Sequence, residues 1–161
     1  MKSAMEGDAH SFGELVERYD RDLQKVCFVI TGNRTTAEDA TQATWEIAWR
    51  KLRQLRDPDK ARQWLITIAV NEARRSAASR LEGPEDDERA AFDTSRDLDL
   101  AKALGHMPTQ DRQLLSLLFV AGMTSSEAGR VVGMSPEGVR TRKARILMRL
   151  RKELTDDHQE T

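Results

Sequence analysis

Thr124 to Lys152, TSSEAGRVVGMSPEGVRTRKARILMRLRK, reads as two short helices joined by a tight turn, the second dense in positive charge. Thr124 and Glu127 have the spacing of a capping box, in which hydroxyl and carboxylate each satisfy a backbone N–H at a helix start. The first helix is therefore predicted over 125–132. Gly133 can adopt the left-handed conformation that ends a helix, Ser135 can cap the next one, and Pro136 fits its first turn, where a missing N–H costs nothing. Two helices about such a turn make a helix-turn-helix.

In the second helix Val139, Ile146, Leu150 and Leu154 form one apolar stripe, and Arg142, Arg145, Arg149 and Lys152 line up on another face. Between Ser135 and Lys152 seven basic residues stand against one acid, Glu137, on a chain whose total charge is −1. A solvated basic face would account for the charge alone. Turn, caps and charge together favour a helix in a major groove, its first turns reaching base edges and its later cations neutralising phosphates.

Around this stretch the 161 residues, 39% hydrophobic and 33% charged with only 5% aromatic, have the composition of a helix-rich chain of one ordinary or two small domains. No run alternates with period two for long, so the fold is expected to be all-α. Cys27 is the only cysteine and has apolar neighbours, which excludes an internal disulfide and suggests a core thiol in a reducing compartment. His10, His106 and His158 lie far apart without a ligand set, so neither a metal nor a cofactor is expected. No apolar leader or membrane span is legible, and the cytoplasm is the expected location.

Working back to the start, apolar residues from Phe12 to Cys27 recur at three and four, predicting an amphipathic helix over 9–31 that Gly32 and Asn33 end. Thr36 and Asp39 have capping-box spacing, predicting a helix through about Gln54, with Trp45 and Trp49 on one side of it in positions that are usually core. Asp57-Pro58-Asp59 breaks the pattern, Asp59 is expected to cap a third helix over 60–80, and three such helices close a small bundle. Leu81 to Arg96 carries a net −4 and little to bury, the signature of a flexible acidic linker. Beyond it, helices over 97–106 and 108–121 are predicted to support the helix-turn-helix, completing a second domain of four helices over 97–154 before a disordered tail at 155–161.

This organisation resembles the extracytoplasmic-function group of bacterial RNA polymerase sigma factors. Ala37-Glu38-Asp39 with Gln42 and Trp45 is similar to the A-E-D-x-x-Q-x-x-F pattern of the family's region 2. Trp64-Leu65-x-x-Ile68-Ala69-Val70-Asn71 is similar to its W-L-x-x-I-A-x-N stretch. Met107-Pro108, Arg112, Leu115 and Gly122 ahead of the helix-turn-helix resemble region 4, and the three anchors stand in the family's order and spacing.

The resemblance implies that Asp39, Gln42, Trp45 and Trp49 face the clamp helices of core RNA polymerase, with the polymerase flap a further contact. It implies that the loop 55–61, with Trp64, Asn71, Arg74 and Arg75 behind it, holds a base flipped from the -10 element, Asn71 supplying the polar group that the base edge needs. Ser135, Glu137, Arg140, Thr141, Arg142, Lys143, Arg145 and Arg149 would serve the -35 element, with Arg140, Thr141 and Lys143 nearest the bases and Arg142, Arg145 and Arg149 nearer phosphates. The acidic linker would thread a basic polymerase channel, and an anti-sigma protein would hold the chain inactive. Ile66 and Thr67 stand where members often have an aromatic and an arginine, which implies fewer contacts to the melted strand, and Gly138 replaces a common threonine. No region 1.1, region 3 or appended C-terminal domain is legible.

A stand-alone helix-turn-helix regulator would use residues 107–152 equally well, but would put a receiver or ligand domain where 36–80 carries the melting motif. An enzyme is disfavoured by the absence of a phosphate loop, a nucleophile–base pair or clustered carboxylates, and no small-molecule substrate is expected.

Overall fold

In the computed structural model, which describes residues 8–80 and 103–156 apart from the Arg80 side chain, Asp8 opens the first helix by accepting from the N–H groups of His10 and Ser11. This helix, α1 (Ala9–Thr31), buries Leu15, Leu23, Val26, Cys27 and Ile30 and ends on Gly32, whose φ of 66° only glycine adopts without strain. The next, α2 (Arg34–Lys51), does not start at a Thr36–Asp39 box as the sequence predicted. Asn33 is its cap, accepting from the Thr36 N–H at 2.9 Å, so Gly32 alone ends α1 and the amide beside it opens α2. Small residues let α2 approach closely: Ala37, Ala40 and Ala48 are buried, and the buried Thr41 and Thr44 return their hydroxyls to the carbonyls of Ala37 and Ala40 at 2.7 Å.

Two 3₁₀ turns, Leu52–Gln54 and Pro58–Lys60, lead to α3 (Ala61–Arg80). Asp57 caps the second of these turns, accepting from the Asp59 N–H at 3.0 Å, because a carboxylate ahead of the proline reaches the first free donor of the turn. Leu65, Ile66, Ala69, Val70 and Ala73 point into the space between α1 and α2 and complete the three-helix bundle. Cys27 sits within it, its Sγ 3.9 Å from the Ala69 carbonyl, and burial pushes its thiol up to about 11.

The expected linker at 81–96 and the first part of the helix expected at 97–106 lie outside the described residues; 103–105 are helical. The single helix expected over 108–121 is α4 (Thr109–Leu115), continued by a wider π turn over Ser116–Val120 whose end is marked by the Ala121 N–H reaching back to Ser116 at 3.0 Å. Gly122 stops it with φ 66°. Then come α5 (Ser125–Val132) and α6 (Pro136–Asp156); the latter carries the helix through Thr155 and Asp156, two residues into the stretch expected to be disordered. Leu114, Leu117, Met123, Ala128, Val139, Ile146 and Leu150 form the core beneath the helix-turn-helix.

The two halves also touch. The α4–π segment lies against α1 and α3, so that the two apolar cores run together. Arg112 donates to the Val29 carbonyl in the last turn of α1 at 3.4 Å and to Thr109 Oγ1 at 3.3 Å, placing a cation at the negative end of that helix. Burial holds this guanidinium below the usual arginine range. Its Nε and the neighbouring Gln113 Nε2 are buried without a hydrogen-bond partner among the described residues.

Candidate nucleic-acid and polymerase interfaces

Three surfaces present the residues singled out from sequence. On α2, Asp39, Gln42 and Trp49 are exposed along one stripe, with Glu46 between them. Trp49 remains 45% exposed although its ring meets Phe12 edge-on at 4.8 Å. Trp45 is divided from this set. It is half-buried, edge-on to Phe12 at 5.7 Å, and its indole N–H donates to Asp20 Oδ1 on α1 at 2.7 Å. Both rings thus meet α1 through Phe12, but only Trp45 is fastened to it by a hydrogen bond, and Trp49 keeps an open face.

On α3, Trp64 and Asn71 are half-buried and seven residues apart, hence on one side of the helix, with Arg75 a further turn along; Arg74 and Arg75 are exposed. Trp64 packs against Leu15, Leu52, Leu55 and Ala61, the small apolar cluster that supports the loop ahead of α3. The Arg75 guanidinium stands 3.4 Å from Glu72 Oε1. Ile66 is fully buried, so the position at which an aromatic was noted as usual belongs to the core here and offers no surface group. Thr67 spends its hydroxyl on the Gln63 carbonyl at 2.8 Å.

The third surface is α6. The capping box forms as its spacing predicts: the Thr124 N–H donates to Glu127 Oε2 at 2.8 Å and the Glu127 N–H to Thr124 Oγ1 at 3.2 Å, which holds the Glu127 carboxyl below its usual range. Gly133 turns the chain at φ 74°, and Ser135 Oγ accepts from the Gly138 N–H at 3.0 Å to start α6. Gly129 sets how closely the two helices pack, because a Cβ there would collide with the Met134 carbonyl oxygen. With Val139, Ile146 and Leu150 turned inward, Ser135, Glu137, Arg140, Thr141, Arg145 and Arg149 face outward.

These outward residues are not equivalent. Arg140 Nη2 is 2.6 Å from Glu137 Oε2 at the exposed head of the helix. Lys143 is half-buried, its ammonium 5.3 Å from the Phe119 ring centroid, which turns it toward the flank of α6. Arg142 is half-buried and donates through Nε to Asp111 Oδ1 at 2.6 Å. Sequence reasoning missed this pair, since nothing local links positions 31 apart; it also did not single out Ala144 and Met148 as surface neighbours of Thr141. Both are exposed, Met148 at 73%, and the spacing from Thr141 by three and then four residues was the signal available for them. No helix among the described residues is long and apolar enough to cross a membrane.

Comparison with known proteins adds identity to this geometry. Residues 15–81 match the family model for Sigma-70 region 2, and residues 103–152 that for Sigma-70 region 4. The chain is 30% identical over 167 residues to RNA polymerase sigma factor NccH of Alcaligenes xylosoxydans xylosoxydans, covering 92% of this chain and 89% of the relative. It is 27% identical to RNA polymerase sigma factor CnrH of Cupriavidus metallidurans over 91% of this chain and 88% of that one. The solved structure of CnrH in complex with the cytosolic domain of CnrY superposes with a TM-score of 0.71 at 29% identity, over 97% of this chain and 95% of that one. Sigma factor RpoE in complex with the anti-sigma factor NepR, from Bartonella quintana, shares the fold with a TM-score of 0.72 at 20% identity, over 90% and 97%. A region 2 match over the first bundle removes the stand-alone regulator as an alternative. The chain belongs to the extracytoplasmic-function group of RNA polymerase sigma factors, initiation factors that direct core polymerase to specific promoters.

Proposed function

We propose that residues 1–80 bind core polymerase and melt the -10 element, that 81–96 form the connector, and that 97–154 read the -35 element, with 155–161 a tail. Asp39, Gln42 and Trp49 meet the clamp helices, and Trp45 supports that surface from below through Asp20. Trp64, Asn71, Arg74 and Arg75 serve the melted strand, Asn71 taking the flipped base. Ser135 and Glu137 set the head of the recognition helix, Arg140 and Thr141 meet base edges, and Arg142, Arg145, Arg149 and the flank residue Lys143 meet phosphates. The polymerase supplies the chemistry, so the chain itself is no enzyme, uses no cofactor and works in the cytoplasm.

The observation that carries this reading is the open basic face of α6 on the same chain as an exposed tryptophan and acid stripe on α2. That CnrH was solved with a bound protein supports a further partner here, an anti-sigma protein that covers the surfaces polymerase needs. The -10 and -35 elements lie about 25 base pairs apart, roughly 85 Å at 3.4 Å per pair. Two touching domains of this size have centres only about 30 Å apart, so promoter binding opens the contact at Arg112.

The test is promoter opening by reconstituted holoenzyme, read by permanganate reactivity of unpaired thymines. Asn71→Ala is expected to reduce opening well beyond its effect on closed-complex affinity. Equal losses in both steps would remove Asn71 from the melting role.

A further inference from the structure

Among the described residues, Arg142 differs from the other cations of the recognition helix in having a carboxylate partner on another element. Its Nε donates to Asp111 Oδ1 at 2.6 Å, and Asp111, in the first turn of α4, has a side chain only 11% exposed. Arg142 itself is 32% exposed. The Nη groups have no hydrogen bond among the described residues, and the concavity beside them is bordered by Ser135, Thr141, Arg145 and Arg149. Arg145 and Arg149 are exposed with no ion-pair partner among the described residues.

We infer that Asp111 is a positioning residue for promoter selection: it locks the Arg142 guanidinium by its Nε edge and presents the Nη edge, already oriented, to one phosphate beside the -35 element. This deepens the proposed -35 role of α6 and rests on it. A guanidinium has five donors in a rigid plane, so one bond at Nε fixes the direction of the others. Phosphate contacts set the register of a protein on its duplex, and base contacts can form only in the right register. A fixed arginine therefore favours the specific complex over the non-specific one, in which a mobile cation serves as well. The carboxylate also cancels one charge on the DNA-facing surface, which lowers attraction to any duplex regardless of sequence.

The experiment measures holoenzyme binding, by fluorescence anisotropy across a salt series, to a promoter duplex on which it initiates and to the same duplex with the -35 element shuffled. Asp111→Asn keeps size and an acceptor but removes the charge. Its ratio of specific to shuffled affinity is expected to fall about fivefold, while affinity for the shuffled duplex is held or rises and its salt slope steepens by roughly one. In an Arg142→Gln background the same change should leave the ratio unaltered, because no guanidinium remains to be aimed, while the loss of the carboxylate's charge still acts on both duplexes alike. Parallel loss on both duplexes would mean that Asp111 merely stabilises region 4, and an unchanged ratio, or an undiminished effect on the ratio in the Arg142→Gln background, would also overturn the inference. Wild-type holoenzyme that does not distinguish the duplexes would instead bring down the -35 reading of α6. A second measurement needs no variant: the Arg142 Nε–Hε resonance of the wild-type chain should stay protected when promoter duplex is added, and its loss on binding would show that the pair breaks rather than aims.

Discussion

Trp45 and Trp49 are four residues apart on one helix and yet have different surroundings, because Asp20 accepts from only one of them. The bond from Trp45 is charge-assisted and half-buried, so Trp45→Phe is expected to cost about 2 kcal/mol of stability, read as a lower urea midpoint with an unchanged slope. Trp49 has no such bond and is nearly half exposed. Trp49→Ala should leave the midpoint close to wild type and weaken binding to core polymerase, measured by competition against a labelled sigma factor. Loss of stability in Trp49→Ala comparable to that in Trp45→Phe would show that both rings are structural. Position on the helix was legible from spacing; the division of roles was not, since it depends on a carboxylate from α1, 25 residues away.

At the scale of elements, the helix-turn-helix was legible almost to the residue because its signals are local: a box at Thr124 and Glu127, a left-handed glycine at 133, a serine and a proline at the next start. Thr124→Ala removes the hydroxyl side of the box and should cost about 1 kcal/mol, whereas Gly129→Ala must push α5 away from the turn and is expected to disturb promoter binding beyond what its melting temperature explains. Circular dichroism melts set beside anisotropy on promoter duplex separate the two effects. Where competing caps stood side by side, sequence reading chose the wrong one. Asn33 and Thr36 both suit a cap, and the earlier residue won because its side chain reaches the first free N–H groups of α2. The Arg142–Asp111 pair was hidden for a different reason. The helical stripe gave the angle of Arg142 correctly, but a stripe says nothing of which neighbouring helix holds an acid there.

At the scale of the whole molecule, the contact between the two halves was not legible at all, because the residues that make it, Val29 and Arg112, are separated by the acidic stretch and share no local pattern. Arg112 Nε is buried without an acceptor among the described residues, so the contact forms at a cost. Fluorophores on the exposed Arg21 and Lys152 are expected to give high transfer in the free chain and low transfer in holoenzyme bound to promoter; equally high transfer in both states would exclude opening. The assignment as a whole is tested most directly by abortive initiation with core RNA polymerase on a panel of duplex promoters, with and without this protein, at controlled salt. The account predicts that core alone starts indiscriminately or not at all, and that adding the protein yields short transcripts from a defined subset of promoters. Binding of the protein to duplex DNA with no change in where core polymerase initiates would contradict it.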